Sequence, residues 1–486
     1  MIIDLFRYRF NHFLQGCVIF FGVIWFVGSA CVKTPPTPLE TLLVGVVSLD
    51  IKEAPASKMS QLTHNGLLRL NDQLSIDLDL AESFEFKPPL TYRFHLKKGV
   101  RFHNGQELTA EDVKQTLSSH PLSEKIEAVT VVEPLIVEMR LKAADASFLS
   151  ELTSVKIIPA GGDVTIGTGP FIVESLKSNE QVVFKRNENY FATPAKLARL
   201  IFRVIPDDHL RGMELKRGKL DLLLDPGPPS LTKSLRNDSQ ISFVSGGGMP
   251  TTSLMMNMTQ GPLSHLEVRQ AILYALDLAT LVEYRMAGMA HPMTGLLPTF
   301  HWAYEPNVTK YPYDPVKARA MLTHAGYPDP DEGGPRARFQ LSFQTLNDRD
   351  GSGLAYLIAR YLKEVGIDLK ILPMDKDSFL SHINTGHFEL SSFVSGARPE
   401  MESLPQGLRG VYQNSVLDQL MDGARKEMDR PKRKEIYSLV QKTLAEDLPM
   451  IPLWSEDHVV FFSHRVKGVK STPDASLGWM VEVYKE

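Results

Sequence analysis

The sequence predicts an α/β protein that is built from about three domains. Its 486 residues are too many for one hydrophobic core, since single domains usually hold roughly 100–200 residues. Short apolar runs alternate with amphipathic helical stretches along the chain, which is the pattern of sheets with crossover helices. Residues 200–205 and 221–224 are predicted as parallel strands around a helix at 207–218, so they form a βαβ unit.

The overall composition is that of an ordinary globular protein. Hydrophobic residues make up 43% of the chain, charged residues 23%, and the formal net charge is -4. A chain without a basic field has no long-range attraction for phosphate backbones, so nucleic acid is excluded as a partner.

Both cysteines, Cys17 and Cys31, lie at the N-terminus. The remaining body therefore offers no disulfide, no thiol nucleophile and no cysteine-based metal site.

The N-terminus carries an export signal. Arg7 and Arg9 precede an apolar run at 13–32, which is the order of basic and apolar regions in such signals. Residues 28–31 (GSAC) resemble a lipoprotein processing site, in which Cys31 takes up lipid. The alternative is an uncleaved membrane anchor, because about 20 apolar residues can span a bilayer. Both alternatives place the body at the periplasmic or extracytoplasmic face of the membrane, behind a proline-rich tether at 32–40.

The first part of the body predicts mostly strands. Residues 41–49 form an apolar strand, and 60–70 form a helix or irregular segment. In 90–102, apolar and polar residues alternate as in a strand with one buried face. After a turn at 103–105, Thr109 is placed to cap a helix whose first turn is acidic.

Residues 126–141 are predicted as paired strands. The glycines of 167–171 (GTGPF) lack the Lys-Ser/Thr ending and the helix of a phosphate loop, so a tight turn into a strand is predicted there.

The second half continues the α/β alternation. A strand at 253–258 is followed by helices at 266–282 and 315–325, the latter begun by Asp314-Pro315. Further elements are a strand at 339–345, a helix at 353–365, a strand at 367–373, two helices within 417–444, and strand runs at 450–453 and 459–462. The four methionines around the first of these strands, Met249, Met255, Met256 and Met258, indicate core packing rather than copper ligation.

Several blocks together resemble the peptide and nickel class of extracellular solute-binding proteins, family 5, which serve ABC importers. They are residues 65–70 (NGLLRL), 90–117, the GTGPF and RNENY segments of 167–190, and 253–327.

The resemblance implies a two-lobed, type II periplasmic-binding-protein-like fold with an extra second domain. Two crossovers, near 253–258 and 450–462, would form the hinge. The implied division is domain I at 41–65, 165–252 and 455–486, domain II at 66–164, and domain III at 253–454.

The function that the resemblance implies is capture of a peptide or similar small solute, which includes anionic compounds, between the lobes. A monomeric, membrane-tethered protein would then deliver it to a membrane permease, without a cofactor and without catalysis. The alternative is a degenerate binding module that acts as a sensor or scaffold. A hydrolase or metal enzyme has no support, because no catalytic motif is present.

The site implied by the resemblance comprises Asn257 in the hinge strand and Phe393, Ser395, Gly396, Ala397 and Arg398 in a later segment. Peptide-binding relatives carry an aspartate, which pairs with the peptide amine, where this chain has Arg398. A guanidinium about 4 Å from an ammonium would repel it by roughly 4 kcal/mol at an effective dielectric near 20, whereas it can hold a carboxylate or phosphate in a bidentate pair.

Alternatives stay open at each of these residues. A shifted register would let Glu400 supply the acid, or Arg398 points to solvent. Asn257 either contacts ligand or satisfies backbone groups at the strand end. A metal ligand role for His301, His382 or His387 is not expected, since a five-residue spacing places the last two on different helix faces.

Overall fold

The computed structural model describes residues 40–49, 58–88, 90–224, 227–259, 261–395, 400–401, 404, 408 and 410–486. The predicted export signal, Cys31 and nearly all of the tether lie outside the described residues. So do Gly396, Ala397 and Arg398.

The strands are short except for two. In chain order they are β1 (Thr41–Val46), β2 (Leu68–Leu70), β3 (Ile76–Leu78), β4 (Ala81–Lys87), β5 (Thr91–Leu96), β6 (Ile126–Glu133), β7 (Ile136–Leu141), β8 (Phe171–Lys177), β9 (Gln181–Arg186), β10 (Arg199–Val204), β11 (Leu222–Leu223), β12 (Ile241–Met256), β13 (Ala290–Pro292), β14 (Phe339–Leu346), β15 (Ile367–Met374), β16 (Leu390–Ser395), β17 (Met450–Ser463), β18 (Val466–Lys467) and β19 (Tyr484–Lys485).

The helices alternate with these strands. They are α1 (Ser60–Thr63), α2 (Ala110–Ser119), α3 (Phe148–Leu152), α4 (Asp208–Lys216), α5 (Pro229–Arg236), α6 (Leu266–Tyr274), α7 (Leu278–Met286), α8 (Pro315–His324), α9 (Arg349–Glu364), α10 (Lys376–Thr385), α11 (Ser415–Lys426) and α12 (Arg430–Asp447). Within the described ranges, none of these helices combines the length and the apolarity that crossing a bilayer requires.

One 11-stranded sheet carries most of the described chain, in the order β15-β14-β16-β12-β17-β11-β1-β10-β9-β8, with β13 beside β17. Strand β1 lies between β10 and β11 and is parallel to both. Helix α4 connects β10 to β11, so the predicted βαβ unit is confirmed.

Strands β12 and β17 pair antiparallel over nearly their whole length, from Ile241 opposite Ser463 to Met255 opposite Met450. The end of β12 pairs with β16, and the end of β17 pairs with β11. The two long strands therefore run through both halves of the sheet, and the predicted crossover strands are confirmed. Strand β12 begins at Ile241, well before the predicted start at 253.

The buried apolar residues form separate cores. One core consists of residues within 67–157. Two other cores consist of residues within 42–62, 171–241 and 459–483, and one of these two also contains Met289. Two more lie within 254–454. The division into three domains remains our proposal, and this grouping of the cores supports it.

The predicted helix at 266–282 is wrong as a single helix. It is divided into α6 and α7, because the Asp277 carboxylate accepts hydrogen bonds from the Thr280 N–H at 3.1 Å and the Thr280 hydroxyl at 2.6 Å, and so caps a new helix. Helix α9 likewise starts earlier than predicted, since Asp348 caps it by accepting from the Gly351 N–H at 2.7 Å. The predicted Thr109 cap is confirmed, with both its N–H and its hydroxyl donating to Asp112.

Three consecutive glycines, at 246–248, lead into an irregularity between β12 and β17: Gly246 and Gly247 still pair with β17, and the register shifts between Gly247 and Thr251. A Cβ atom on Gly248 would lie 2.3 Å from the Glu456 carbonyl oxygen. Only a glycine therefore permits this approach of the two long strands.

We expect Gly248→Ala to destabilise the protein by about 1–3 kcal/mol, because the backbone at Glu456 must move to relieve the overlap. Thermal unfolding followed by circular dichroism would show the loss as a lower melting temperature. Gly353→Ala is the matched control, since its Cβ would meet nothing within 4 Å. Equal melting temperatures for the two variants would contradict the role of Gly248.

Candidate functional site

A cavity of about 1220 Å³ lies on the side of the protein built from residues before 250 and after 470. Its described lining comes mainly from 58–79, 120–125, 150–156, 190–196 and 470–482, together with Met249. Small-molecule sites usually measure about 300–1,000 Å³. The cavity is therefore large enough for a solute of the size of a short peptide.

The wall of this cavity is rich in charge of both signs. Its described charged residues are Lys58, Arg69, Lys125, Lys156, Lys196 and Lys470, and the acids Asp72, Asp77, Asp79, Glu124, Glu151, Asp474 and Glu482. Which of these charges are already paired decides which are available to a solute.

A buried polar network fixes one part of the wall. The Asn65 amide donates to both Asp79 carboxylate oxygens, at 2.9 and 3.0 Å, and accepts from the Thr168 hydroxyl at 3.1 Å. The Gly66 N–H also donates to Asp79, at 3.1 Å, and the Asn65 amide reaches the Tyr190 hydroxyl at 3.3 Å. Burial raises the pKa of Asp79 and raises that of Tyr190 to about 12.

The GTGPF turn packs against this network, which supports the structural role predicted for its glycines. A Cβ on Gly167 would lie 2.0 Å from the Thr63 carbonyl oxygen, and one on Gly169 would lie 2.4 Å from the Thr63 carbonyl carbon. The close approach buries His64, whose Nδ1 lies 2.8 Å from the Thr63 hydroxyl. Burial, with smaller contributions from His103 and Lys156, lowers the pKa of His64 to about 4.

Lys156 is a half-buried cation of this wall without a close counter-charge among the described residues, whereas Lys58 and Arg69 are exposed. Its neighbours Val155 and Ile157 are 1% and 0% exposed, so the alternation of an extended segment turns Lys156 toward the cavity. The hydrogen bond of its Nζ is a long one, 3.5 Å to the Thr153 carbonyl oxygen. Burial lowers the pKa of Lys156, although the Asp79 and Asp474 carboxylates oppose that shift.

Three other lysines of the wall are already engaged. Lys125 pairs with Asp145 at 2.8 Å, Lys470 pairs with Glu482 at 3.1 Å, and Lys196 lies 4.7 Å from the centre of the Tyr484 ring. Among the described residues, no carboxylate lies within the 4.0 Å ion-pair distance of Lys156. A half-buried ammonium without a close counter-charge favours an anionic group in front of it.

Of the residues expected from the resemblance, Phe393 and Ser395 lie on strand β16. The Ser395 and Thr251 hydroxyls share a hydrogen bond of 2.8 Å. Thr251 is two residues along β12 from Met249, which lines the cavity. The described end of the predicted segment therefore bonds to a residue two positions from the cavity lining, but neither Thr251 nor Ser395 lines the cavity itself.

Asn257 lies elsewhere. It is six residues beyond Thr251, about 20 Å along an extended strand. Its amide donates to the Gly386 carbonyl at 2.9 Å and accepts from the Thr259 N–H at 3.1 Å and the Thr259 hydroxyl at 2.7 Å. The structure does not bring Asn257 together with Ser395, and its contacts favour the backbone-satisfying alternative.

Glu400, the alternative acid, is 8% exposed. Its carboxylate pairs with the Arg433 guanidinium at 3.4 Å. This carboxylate is therefore engaged within the protein.

The histidine geometry differs from the expectation. The His382 and His387 rings lie 6.3 Å apart, because α10 ends at Gly386 in a left-handed conformation and the chain turns back. In the part of the chain that the structure describes, no three His, Cys, Asp or Glu side chains are placed to hold a metal.

Met255 and Met256 are fully buried among apolar residues.

Comparison with known proteins assigns the family. The family model of the bacterial extracellular solute-binding proteins, family 5 (middle region), matches residues 75–409, which is more than half of the chain. This chain belongs to that family.

Relatives of this family 5 protein match it over most of its length. Heme-binding protein A of Haemophilus influenzae is 26% identical over 495 residues, with 90% of each chain covered. The dipeptide-binding protein of Pseudomonas aeruginosa is 26% identical over 450 residues, with 81% of this chain and 84% of that protein covered.

Among solved structures, NikA from Brucella suis in complex with Fe(III)-EDTA superposes with a TM-score of 0.84 at 21% identity, covering 92% of this chain and 100% of that one. At this identity the likeness concerns the fold alone. It confirms the expected two-lobed type II periplasmic-binding-protein fold.

The sequence reasoning missed the cavity wall, including Lys156, Asp79 and Asn65. Lys156 did carry a usable signal, since it is the one charged residue in the run VKII at 155–158. A charge that interrupts a buried strand-like run is a candidate for a site. Asp79 and Asn65 carried no comparable signal, because their contact spans 14 residues of sequence.

We expect stability to fall as the pH falls from about 6.5 to about 4. The unfolded chain takes up a proton at His64 in this window and the folded protein does not, because the pKa is lowered to about 4. The loss is at most about 3 kcal/mol. Melting temperature measured against pH would show a shallower dependence for His64→Gln than for the wild type. The exposed His324→Gln should retain the wild-type slope, and identical slopes for all three proteins would refute the assignment.

Proposed function

We propose that this family 5 protein captures a small solute that bears a carboxylate, holds it in the large cavity with Lys156 as a principal contact, and delivers it to an ABC permease. The observation that carries the proposal is the half-buried Lys156 ammonium, whose Nζ has, within the described part of the chain, a single long hydrogen bond, of 3.5 Å to the Thr153 carbonyl. A carboxylate there would gain a charge-assisted hydrogen bond and would favour the charged lysine.

The relatives support a carboxylate as the recognised group. Their ligands are heme, dipeptides and, in the solved NikA structure, Fe(III)-EDTA. These molecules differ in size and shape, and all of them carry carboxylates. We propose a peptide or similar small anionic solute for this chain.

The segment after Ser395 would close the site from the other lobe. Ser395 bonds to Thr251, which is two residues along β12 from the cavity-lining Met249. We propose that Phe393, Ser395, Gly396, Ala397 and Arg398 contact the solute from this side, with Arg398 as a second cation for an anionic ligand. Asn257 would serve the strand end rather than the solute.

Solute capture would shift an equilibrium between open and closed arrangements toward the closed one. A contact between the two sides supports this step, since the Ala146 N–H donates to the Arg425 carbonyl at 2.9 Å. Ala146 lies in the proposed domain II, and Arg425 lies in the last turn of α11 in the proposed domain III. No covalent chemistry is needed in this cycle.

Export and anchoring complete the proposal. The basic and apolar N-terminal segment would direct the chain out of the cytoplasm, and a lipid on Cys31 or the uncleaved segment itself would hold the monomer at the membrane. This position would keep the solute cavity within reach of the permease.

We expect Lys156→Met to weaken binding of the recognised solute by about 10- to 100-fold, since a hydrogen bond to a charged group contributes about 1.5–3 kcal/mol. Isothermal titration with dialanine, glutathione, hemin and Fe(III)-EDTA would identify the solute class and measure the loss. Arg398→Met, titrated alongside, should also lose affinity.

Lys196→Met is the matched control, because this lysine lines the same cavity and packs over Tyr484. It should bind like the wild type. Unchanged affinity in Lys156→Met would remove Lys156 from the site. Binding of none of the four probes by the folded wild type would favour the sensor or scaffold alternative.

A further inference from the structure

A second cavity, of about 320 Å³, lies within the part of the chain between residues 273 and 452. It separates two apolar cores. Leu276 and Leu448 belong to one core, and Leu444 and Met450 belong to the other. All four side chains are at most 5% exposed, so the floor of this cavity is formed by residues of the protein interior.

Three polar side chains around this cavity, those of Gln441, Tyr311 and Asp277, already have partners. The Gln441 amide donates to the Ala303 carbonyl at 2.8 Å and accepts from the Glu305 N–H at 3.3 Å. The Tyr311 hydroxyl donates to the Ala445 carbonyl at 3.1 Å, and the Asp277 carboxylate caps α7. A charged ligand that reached the apolar floor would lose its hydration, and these three side chains would not compensate for the loss.

The cavity has a mouth. Thr309, Lys310, Pro312 and Tyr313 line it and are exposed. A small molecule can therefore enter from solvent and reach the apolar floor.

We propose that this cavity is a binding site for an uncharged, largely apolar small molecule, such as a bicyclic arene of roughly ten non-hydrogen atoms. The volume is about twice that of an engineered apolar cavity of 150 Å³ that binds benzene. The apolar floor, where Gln441, Tyr311 and Asp277 are already hydrogen-bonded, disfavours a carboxylate or an ammonium group. Two of the lining side chains, Met293 and Met450, are adaptable thioethers that pack well against aromatic rings.

This site is separate from the cavity of the proposed solute. The two share no lining residue among those that the structure describes. They also differ in chemistry, since one wall is densely charged and the other is apolar. Met450 and Pro452 belong to β17, so an occupant would touch one of the two long strands that connect the lobes.

Gly295 allows a direct test. It lines the cavity, and a Cβ added there would meet only Val308, at 3.7 Å and 3.9 Å, which is ordinary contact. The Gly295→Leu side chain would therefore occupy the cavity. Fluorine NMR with fluoroindole as the probe should show binding to the wild type, with affinity roughly tenfold or more weaker in Gly295→Leu. Indole-3-carboxylate should not displace the probe.

Gly353→Leu is the matched control, because its Cβ would meet nothing within 4 Å and it does not line the cavity. It should bind the probe like the wild type. If Gly295→Leu does not fold, Ala445→Leu on helix α12 is a second variant that fills the cavity. Absence of probe binding to the wild type, or full binding to a folded filled variant, would overturn the proposal.

Discussion

The antiparallel pairing of β12 with β17 is the contact on which the rest of the structure depends. It runs from Ile241 opposite Ser463 to Met255 opposite Met450, and it joins β11 and β1 on one side to β16 and β14 on the other. Strand β12 carries the chain from one lobe to the other, and β17 carries it back. Both lobes are therefore connected through the same two strands. The glycines at 246–248 allow the close approach that this pairing needs, and Met249 then enters the wall of the large cavity. The site is thus positioned by the same strands that hold the lobes together.

The large cavity combines two kinds of buried polar group. Asn65, Asp79 and Tyr190 satisfy one another, so they fix the shape of the wall and offer little to a solute. Lys156 is different, because burial disfavours its charge and no carboxylate lies close enough to pair with it among the described residues. Such a group is costly to keep in a protein unless an anion completes it. This unpaired, half-buried charge is the reason that we propose an anionic solute for this family 5 protein.

The architecture was predictable from local patterns, since strand alternation, the Thr109 cap and the βαβ unit around α4 each depend on residues near in sequence. The family resemblance supplied the two-lobed arrangement. Helix ends were less predictable. The apolar helical pattern continues through Asp277, but the carboxylate of this residue caps a new helix there. The cavity could not be predicted, because its walls combine residues far apart along the chain. The Asp474 carboxylate, for example, opposes the lowering of the Lys156 pKa. The role of Asn257 stays a prediction from analogy, and the hydrogen bonds of its amide with Gly386 and Thr259 favour the alternative that it satisfies groups at the strand end.

Native mass spectrometry of the protein isolated from its own cell envelope tests the central claim most directly. A closed cleft with a charge-assisted contact should retain its solute through purification, so we expect a non-covalent complex that is heavier than the covalent protein alone. The released molecule should be small and carry at least one carboxylate. Polypeptide mass alone, in protein that also fails to bind any carboxylate probe in solution, would contradict the account.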